Sequence, residues 1–247
     1  MTNLRKELGV QSYCFRGFRK NEEVIELVKR CGLDRVELCG VHADFTKEET
    51  FGEVVDLYKK GGVRIVSIGV QGLRGNRAVE EKYFKFLKAA GARHMSVDFS
   101  PQTLPRCFRV AEKLADKYDV KLAIHNHGGR HWLGCAAMLD YVFSRTSERI
   151  GLCLDTAWAL DSGEDPVALV DRFGPRLYGL HLKDFTFDSA RRFKDAVVGK
   201  GNLDLANLSK RLKAVKFSGF EVLEYEGDVS NPLSALKKCV KAVRAAF

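Results

Sequence analysis

Histidines and carboxylates recur in this chain at the ends of short apolar runs: Ile124-His125-Asn126-His127, Cys153-Leu154-Asp155-Thr156, Leu180-His181-Leu182-Lys183-Asp184 and Leu223-Glu224-Tyr225-Glu226. Successive residues of a strand alternate faces, so residues two apart share one. His125 then projects with His127, Cys153 with Asp155, His181 with Lys183, and Glu224 with Glu226. Two imidazoles and two carboxylates brought together suit a divalent cation. The chemistry on offer is Lewis acidity: a bound cation polarises a carbonyl and acidifies the C–H beside it. Such a site needs a fold that gathers four separate strand ends.

The rest of the chain supplies the elements for that fold. Strand-like runs cover 8–13, 35–38, 64–69, 94–98, 121–124, 150–154, 177–182 and 220–225. Helical patterns lie between them, at 22–31, 47–60, 78–90, 107–118, 136–146, 166–173, 205–212 and 233–245. Val24, Ile25, Leu27 and Val28 show the 3.6-residue period of a core-facing helix, with Asn21 as its expected cap. Gly32, Gly62 and Gly91 stand just past helix ends, where a left-handed residue is wanted. Alternating β and α elements imply a parallel sheet. Eight repeats in 247 residues match one α/β domain, residues 1–247, folded as a single (β/α)8 TIM barrel, a fold of about 250 residues. In such a barrel the four clusters converge on one rim. No glycine-rich dinucleotide fingerprint follows any strand.

Composition narrows the function classes. No window approaches 18 uninterrupted apolar residues, so no membrane span is expected. The start, Met1-Thr2-Asn3-Leu4-Arg5-Lys6-Glu7, lacks an apolar signal core, so the expected location is cytoplasmic. Seven cysteines without a CxxC pair read as small buried hydrophobes in a reducing compartment. The net charge of +9 invites a nucleic-acid reading. However, Lys and Arg alternate with core positions along the helical segments, as solvated faces do, so nucleic acid is not the expected partner. A small-molecule carbohydrate is. The oligomeric state stays open, dimer and tetramer included.

The chain resembles the xylose isomerase-like TIM barrel family, which holds sugar phosphate isomerases and epimerases and endonuclease IV-like proteins. The resemblance rests on Gly62-Val63-Arg64-Ile65-Val66-Ser67-Ile68-Gly69, Leu122-Ala123-Ile124-His125-Asn126-His127, Gly151-Leu152-Cys153-Leu154-Asp155-Thr156, Leu180-His181-Leu182-Lys183-Asp184, Gly199-Lys200-Gly201-Asn202-Leu203-Asp204 and the segment from Gly219 to Glu226. Six motifs in order span nearly the whole chain. The family holds one divalent metal, such as Mn, Zn, Mg or Co, with a Glu, Asp, His and Glu quartet. The resemblance assigns the last three to Asp155, His181 and Glu224. His125 stands where the first Glu is expected, with His127 on the same face as the alternative ligand. Imidazole binds the same metals.

The resemblance implies a sugar isomerase or epimerase acting on a keto-sugar or cyclitol through an enediolate, with Glu224 or His127 moving the proton. The family's epimerases use the first Glu as one of two acid/base carboxylates. Its replacement by His125 shifts weight toward the alternative, a metal-dependent lyase or dehydratase. An endonuclease IV-like hydrolase is disfavoured, because Ser67-Ile68-Gly69-Val70-Gln71 and Val97-Asp98-Phe99 lack the extra histidines of a three-metal cluster, and Trp158 stands where related sequences carry another. A non-catalytic carbohydrate-binding barrel is the remaining rival.

Each candidate also has a purely structural reading. Asp155 could cap a helix, and His181 could be a hydrogen-bonded core histidine. Lys183 could polarise a substrate oxygen or pair with Glu226 or Asp184. Glu37 could bind substrate hydroxyls or neutralise a basic side chain. Trp158 and Trp132, with Phe15, could wall a sugar pocket or simply pack. Arg16 and Arg130 are candidate phosphate ligands. His42 and His94 have no partner pattern and read as structural.

Overall fold

The computed structural model describes residues 7–247. Apart from Glu7, the N-terminal segment read above for an export signal lies outside the described residues. The barrel strands are β1 (Gly9–Gln11), β2 (Arg35–Leu38), β3 (Arg64–Leu73), β4 (His94–Phe99), β5 (Lys121–His125), β6 (Ile150–Asp155), β7 (Leu177–Leu182) and β10 (Phe220–Leu223). They close in the order β1-β10-β7-β6-β5-β4-β3-β2, with every pair parallel. Helices pack around them, so the protein is an α/β barrel of the (β/α)8 type. No helix among the described residues is long and apolar enough to cross a membrane.

The strands are buried on both faces, which is why they read as near-continuous apolar runs. Outward residues such as Val10, Val36, Leu38, Met95, Val97, Leu122, Ile124, Leu152, Leu154, Leu180 and Leu182 join the helices in the main core. Inside the barrel a smaller cluster of Ala123, Cys153, Phe220 and Val222 forms a plug. Cys153 is thus buried as expected, and all seven cysteines are free.

Several element ends differ from the sequence reading. The first strand stops at Gln11 instead of residue 13, because the Gln11 side chain accepts from Tyr13 N at 3.1 Å and turns the chain. The last stops at Leu223 instead of residue 225; Tyr225 N then donates to Cys14 Sγ. β3 runs on to Leu73, four residues beyond its expected end. The helix expected from residue 47 begins at Phe51, after a short turn at Glu48–Thr50. The cap of the helix Asn21–Arg30 is Lys20, not Asn21. Asn21 instead donates to His42 O and accepts from Tyr58 Oη, tying the helix to its neighbours. Gly32, Gly62 and Gly91 all take positive φ, between 68° and 75°, as the helix ends require.

One feature has no counterpart in the sequence reading. After β7 the chain forms an antiparallel hairpin, β8 (Asp184–Phe187) with β9 (Phe193–Ala196). Asp184 anchors the segment beyond the hairpin: its carboxylate accepts from the backbone N–H groups of Gly199, Gly201 and Leu203 at 2.8 to 3.0 Å. A Cβ at Gly201 would lie 2.4 Å from Asp184 Oδ1, so only glycine fits. The motif around Gly199 is therefore a carboxylate cradle under the hairpin.

Candidate metal centre

The barrel brings His125, Asp155, His181 and Glu224 together. One ligand atom from each lies within 4.8 Å of the others, and all four side chains are buried. Register explains the convergence: Asp155 is opposite His181 across β6 and β7, and Val222 is opposite His181 across β7 and β10, which puts Glu224 one interior position higher. His125 Nε2 sits 3.5 Å from Asp155 Oδ2 and 3.7 Å from Glu224 Oε2. His181 Nδ1 is 2.6 Å from Glu224 Oε2.

Strand ends splay at a barrel rim, and polar side chains replace the lost ladder. Asn126 Nδ2 donates to Asp155 O at 3.0 Å while Asp155 N donates back to Asn126 Oδ1 at 2.8 Å. Thr156 Oγ1 donates to Lys183 O at 2.5 Å, and Lys183 N donates to Thr156 Oγ1 at 3.0 Å. These two residues clamp β5, β6 and β7 around the cluster. Sequence reasoning gave neither a role, although both sit inside quoted motifs.

Asp155 realises both of its readings at once. Its Oδ1 accepts from Trp158 N at 2.8 Å and caps the helix Thr156–Asp161. Its Oδ2 is buried without a hydrogen-bond partner, as are both ring nitrogens of His125. A buried polar atom left unpaired costs about 1 to 3 kcal/mol, and native structures rarely tolerate it. Two of these atoms, His125 Nε2 and Asp155 Oδ2, face one another at 3.5 Å and fit a divalent cation, since nitrogen and oxygen donors of this mix suit the metals named above. A buried His/His/Asp/Glu cluster thus forms a divalent-metal site in its residue types and spacing.

The electrostatics agree. Burial alone would lower the His125 imidazole, but Asp155 and Glu224 outweigh it and raise it. His181 is likewise raised, by Cys153, Glu37 and Glu224 against burial. Burial opposes ionisation of Glu224, yet Lys183 and His181 hold its carboxyl well below the usual range. This is an excess of negative partners around imidazoles that one cation would balance.

His127 stands above His125 with ring centroids 4.5 Å apart. It belongs to the cavity wall and is outside the four-residue cluster. Burial, with His125 and His131 beside it, pushes its pKa down to about 4. Its Nδ1 is buried without a partner. Lys183 pairs with Glu226, not Asp184, and its Nζ lies 4.0 Å from Glu224 Oε1 and 5.0 Å from the centre of the Trp158 ring. Trp158 packs edge-on against Phe185 and Phe193 at 5.0 Å each, so the hairpin props it against the cavity.

The cavity at this rim measures 430 Å³ and is lined by Tyr13, Val41, Val70, His125, His127, Trp158, Glu224 and Glu226, among others. Two of the expected substrate contacts lie elsewhere. Trp132 donates its indole N–H to Phe99 O at 2.9 Å and packs on the core. Glu37 is wholly buried beneath His181, with its oxygens filled by protein donors. Phe15 is core. Arg16 bonds Glu226 O and Tyr13 O, which commits it to structure. His42 bonds Phe18 O, and His94 sits at the opposite end of the barrel.

Comparison with known proteins supports this picture. Residues 25–245 match the family model described as xylose isomerase-like TIM barrel. The chain is 33% identical over 144 residues to the rhizopine catabolism protein MocC of Rhizobium meliloti, covering 52% of this chain and 44% of that protein. It is 28% identical over 207 residues to an inosose dehydratase of Bacillus velezensis, covering 75% and 65%. The chain spans about half the length of the curated relatives it matches. Among solved structures, the probable 3-DHS dehydratase AsbF of Bacillus anthracis superposes with a TM-score of 0.77 at 16% identity, over 96% of this chain and 98% of that one, a likeness of fold. With the family model covering all but the ends of the chain, this protein belongs to the xylose isomerase-like TIM barrel family.

Proposed function

We propose that this chain is a divalent-metal-dependent dehydratase acting on an uncharged keto-sugar or cyclitol ketone. The observation that carries the reading is the buried cluster of His125, Asp155, His181 and Glu224, with unpartnered atoms on His125 and Asp155 facing one another. The inosose dehydratases among its relatives support elimination over the isomerase or epimerase expected first. So does the chain itself: His125 occupies the place of a second acid/base carboxylate, which leaves only Glu224 and disfavours proton transfer between two carboxylates.

A cation held by the four residues would supply Lewis acidity to a substrate carbonyl. His127 is the base. It is neutral at neutral pH and lines the cavity. His127 takes the proton from the carbon next to the carbonyl and returns it to the departing β-hydroxyl. The C–O bond breaks, a C=C bond forms in conjugation with the carbonyl, and water leaves. Lys183, kept charged by Glu224, Asp155 and Glu226 despite its burial, donates a hydrogen bond to a substrate oxygen. Trp158 and Tyr13 offer faces to the C–H surface of the ring. Lys183 and Arg16 both contact Glu226, whose charge beside them favours a neutral substrate over a phosphorylated one.

The test is a screen of inososes and ketohexoses with the metal-loaded protein. Dehydration produces a conjugated enone, seen as new ultraviolet absorbance and the loss of one water by mass. Deuterium uptake from the buffer without that loss would instead establish an isomerase or epimerase. His127→Ala should keep the metal and lose about 100-fold or more in turnover; loss of metal would move His127 into the ligand set.

A further inference from the structure

Beneath the four-residue cluster the barrel interior holds a second polar layer, centred on Glu37. Its Oε1 accepts from Ser67 Oγ at 2.9 Å and from Ser96 Oγ at 2.5 Å. Its Oε2 accepts from Gln11 Nε2 at 2.8 Å. The remaining neighbour is His181 Nε2, 2.5 Å from Oε2. These donors come from β1, β3, β4 and β7 and meet on a carboxylate carried by β2, so five strands converge there. A Cβ on Gly69 would lie 2.5 Å from Ser96 Cβ and 2.8 Å from Glu37 Oε1, so the glycine leaves the room that this arrangement occupies. Burying a carboxylate is costly unless its oxygens are filled in this way.

We propose that Glu37 is a positioning residue of the metal centre, which holds the Nε2–H of His181 and so turns Nδ1 to the cluster. An ionised carboxylate only accepts, so the ring nitrogen that faces it must be the donor. Nδ1 faces Glu224 Oε2 at 2.6 Å inside the cluster; a cation held there would take the place of the proton on that nitrogen, on the side where Asp155, His125 and Glu224 meet. Gln11, Ser67 and Ser96 hold the Glu37 carboxylate in turn, so the ring orientation is set by a chain of contacts across the barrel. Partners of this kind set the tautomer and basicity of metal-binding histidines, and their loss typically costs 10- to 100-fold in affinity.

The inference rests on the metal-centre reading above, and the experiment separates the two. The full chain, stripped of metal, is titrated with Co²⁺, whose visible absorption reports the geometry of its ligands. Glu37→Gln keeps the shape of the side chain and removes its charge. It should weaken Co²⁺ binding by about 10- to 100-fold and alter the visible spectrum. A purely structural Glu37 would change thermal melting while leaving affinity and spectrum intact, and that result overturns the proposal while the metal centre stands. Wild-type protein that takes up no Co²⁺ overturns both. Should the variant fail to fold, nitrogen-15 spectra of the Zn²⁺-loaded wild type decide. A His181 proton on Nε2 supports the assignment, and a proton on Nδ1 refutes it.

Discussion

The two ends of the barrel bury ionisable groups under opposite rules. Phe220 lies between them, its ring 6.3 Å from that of His181 and 5.6 Å from that of His94. Toward the rim, His181 is held between Glu37 and Glu224 and is raised well above its ordinary value. At the foot, burial and Lys121 push His94 down to about 4, so it stays neutral. The carboxylates differ in the same way. Glu224 at the rim is held ionised by Lys183 and His181 against burial. Glu221, three residues earlier on the same segment, has both oxygens buried without a partner, and burial with Glu7 nearby lifts it to about 8. One residue of the strand period sends Glu221 out among the helices and Val222 with Glu224 into the interior. Charge is thus kept where it can be used and silenced where it cannot.

Asp155 gives the largest expected effect and the sharpest break at the rim. Asp155→Ala should abolish metal uptake and also lose a helix cap worth about 1 kcal/mol. Asp155→Asn should keep the cap, since Asn caps as well as Asp, and still lose most metal affinity, since it removes the anionic ligand. Metal analysis alongside thermal melting checks both. An Asn variant with unchanged metal content would remove Asp155 from the ligand set.

The foot should show itself in the pH dependence of stability. Glu221 is raised from 4.5 to about 8, so between those values the folded state holds a proton that the unfolded state has lost. Its contribution is full below 4.5 and is lost as pH rises toward 8. His94 is lowered from 6.5 to about 4, so there the unfolded state holds the extra proton, and its contribution is lost as pH falls from 6.5 toward 4. The two slopes oppose one another between 4.5 and 6.5. Glu221→Gln should remove the fall between 4.5 and 8, and His94→Gln should weaken the rise between 4 and 6.5, to which His127 also contributes. Urea unfolding across this range reads both, and superimposable wild-type and Glu221→Gln profiles would show that Glu221 is ionised at neutral pH.

The smallest effects mark where the rim site ends. Trp132→Phe should leave turnover unchanged and cost about 1 kcal/mol of stability for the hydrogen bond to Phe99 O. Trp158→Phe should instead raise KM, because that ring lines the cavity. Equal effects on KM would extend the site to Trp132.

The sequence by itself carried the barrel, its strand and helix order, and the four cluster residues, with His127 left as the alternative to His125. It could do so because these are local facts. Apolar runs with alternating faces define buried strands, and Asp155, His181 and Glu224 each stand at the end of one. Other features depended on the closed sheet. His125 and His127 share a strand face, and only the position of β5 against β6 puts His125 beside Asp155 and leaves His127 on the cavity wall. Glu37 reads as a strand-end carboxylate fit for substrate, yet it lies one layer below the rim, under a histidine 144 residues away. The hairpin that props Trp158 was not visible, since its two four-residue strands are held by an Asp184 cradle and aromatic stacking, which leave no periodic signal. Local pattern sets which face a side chain takes; barrel closure and register set which distant side chain it meets there.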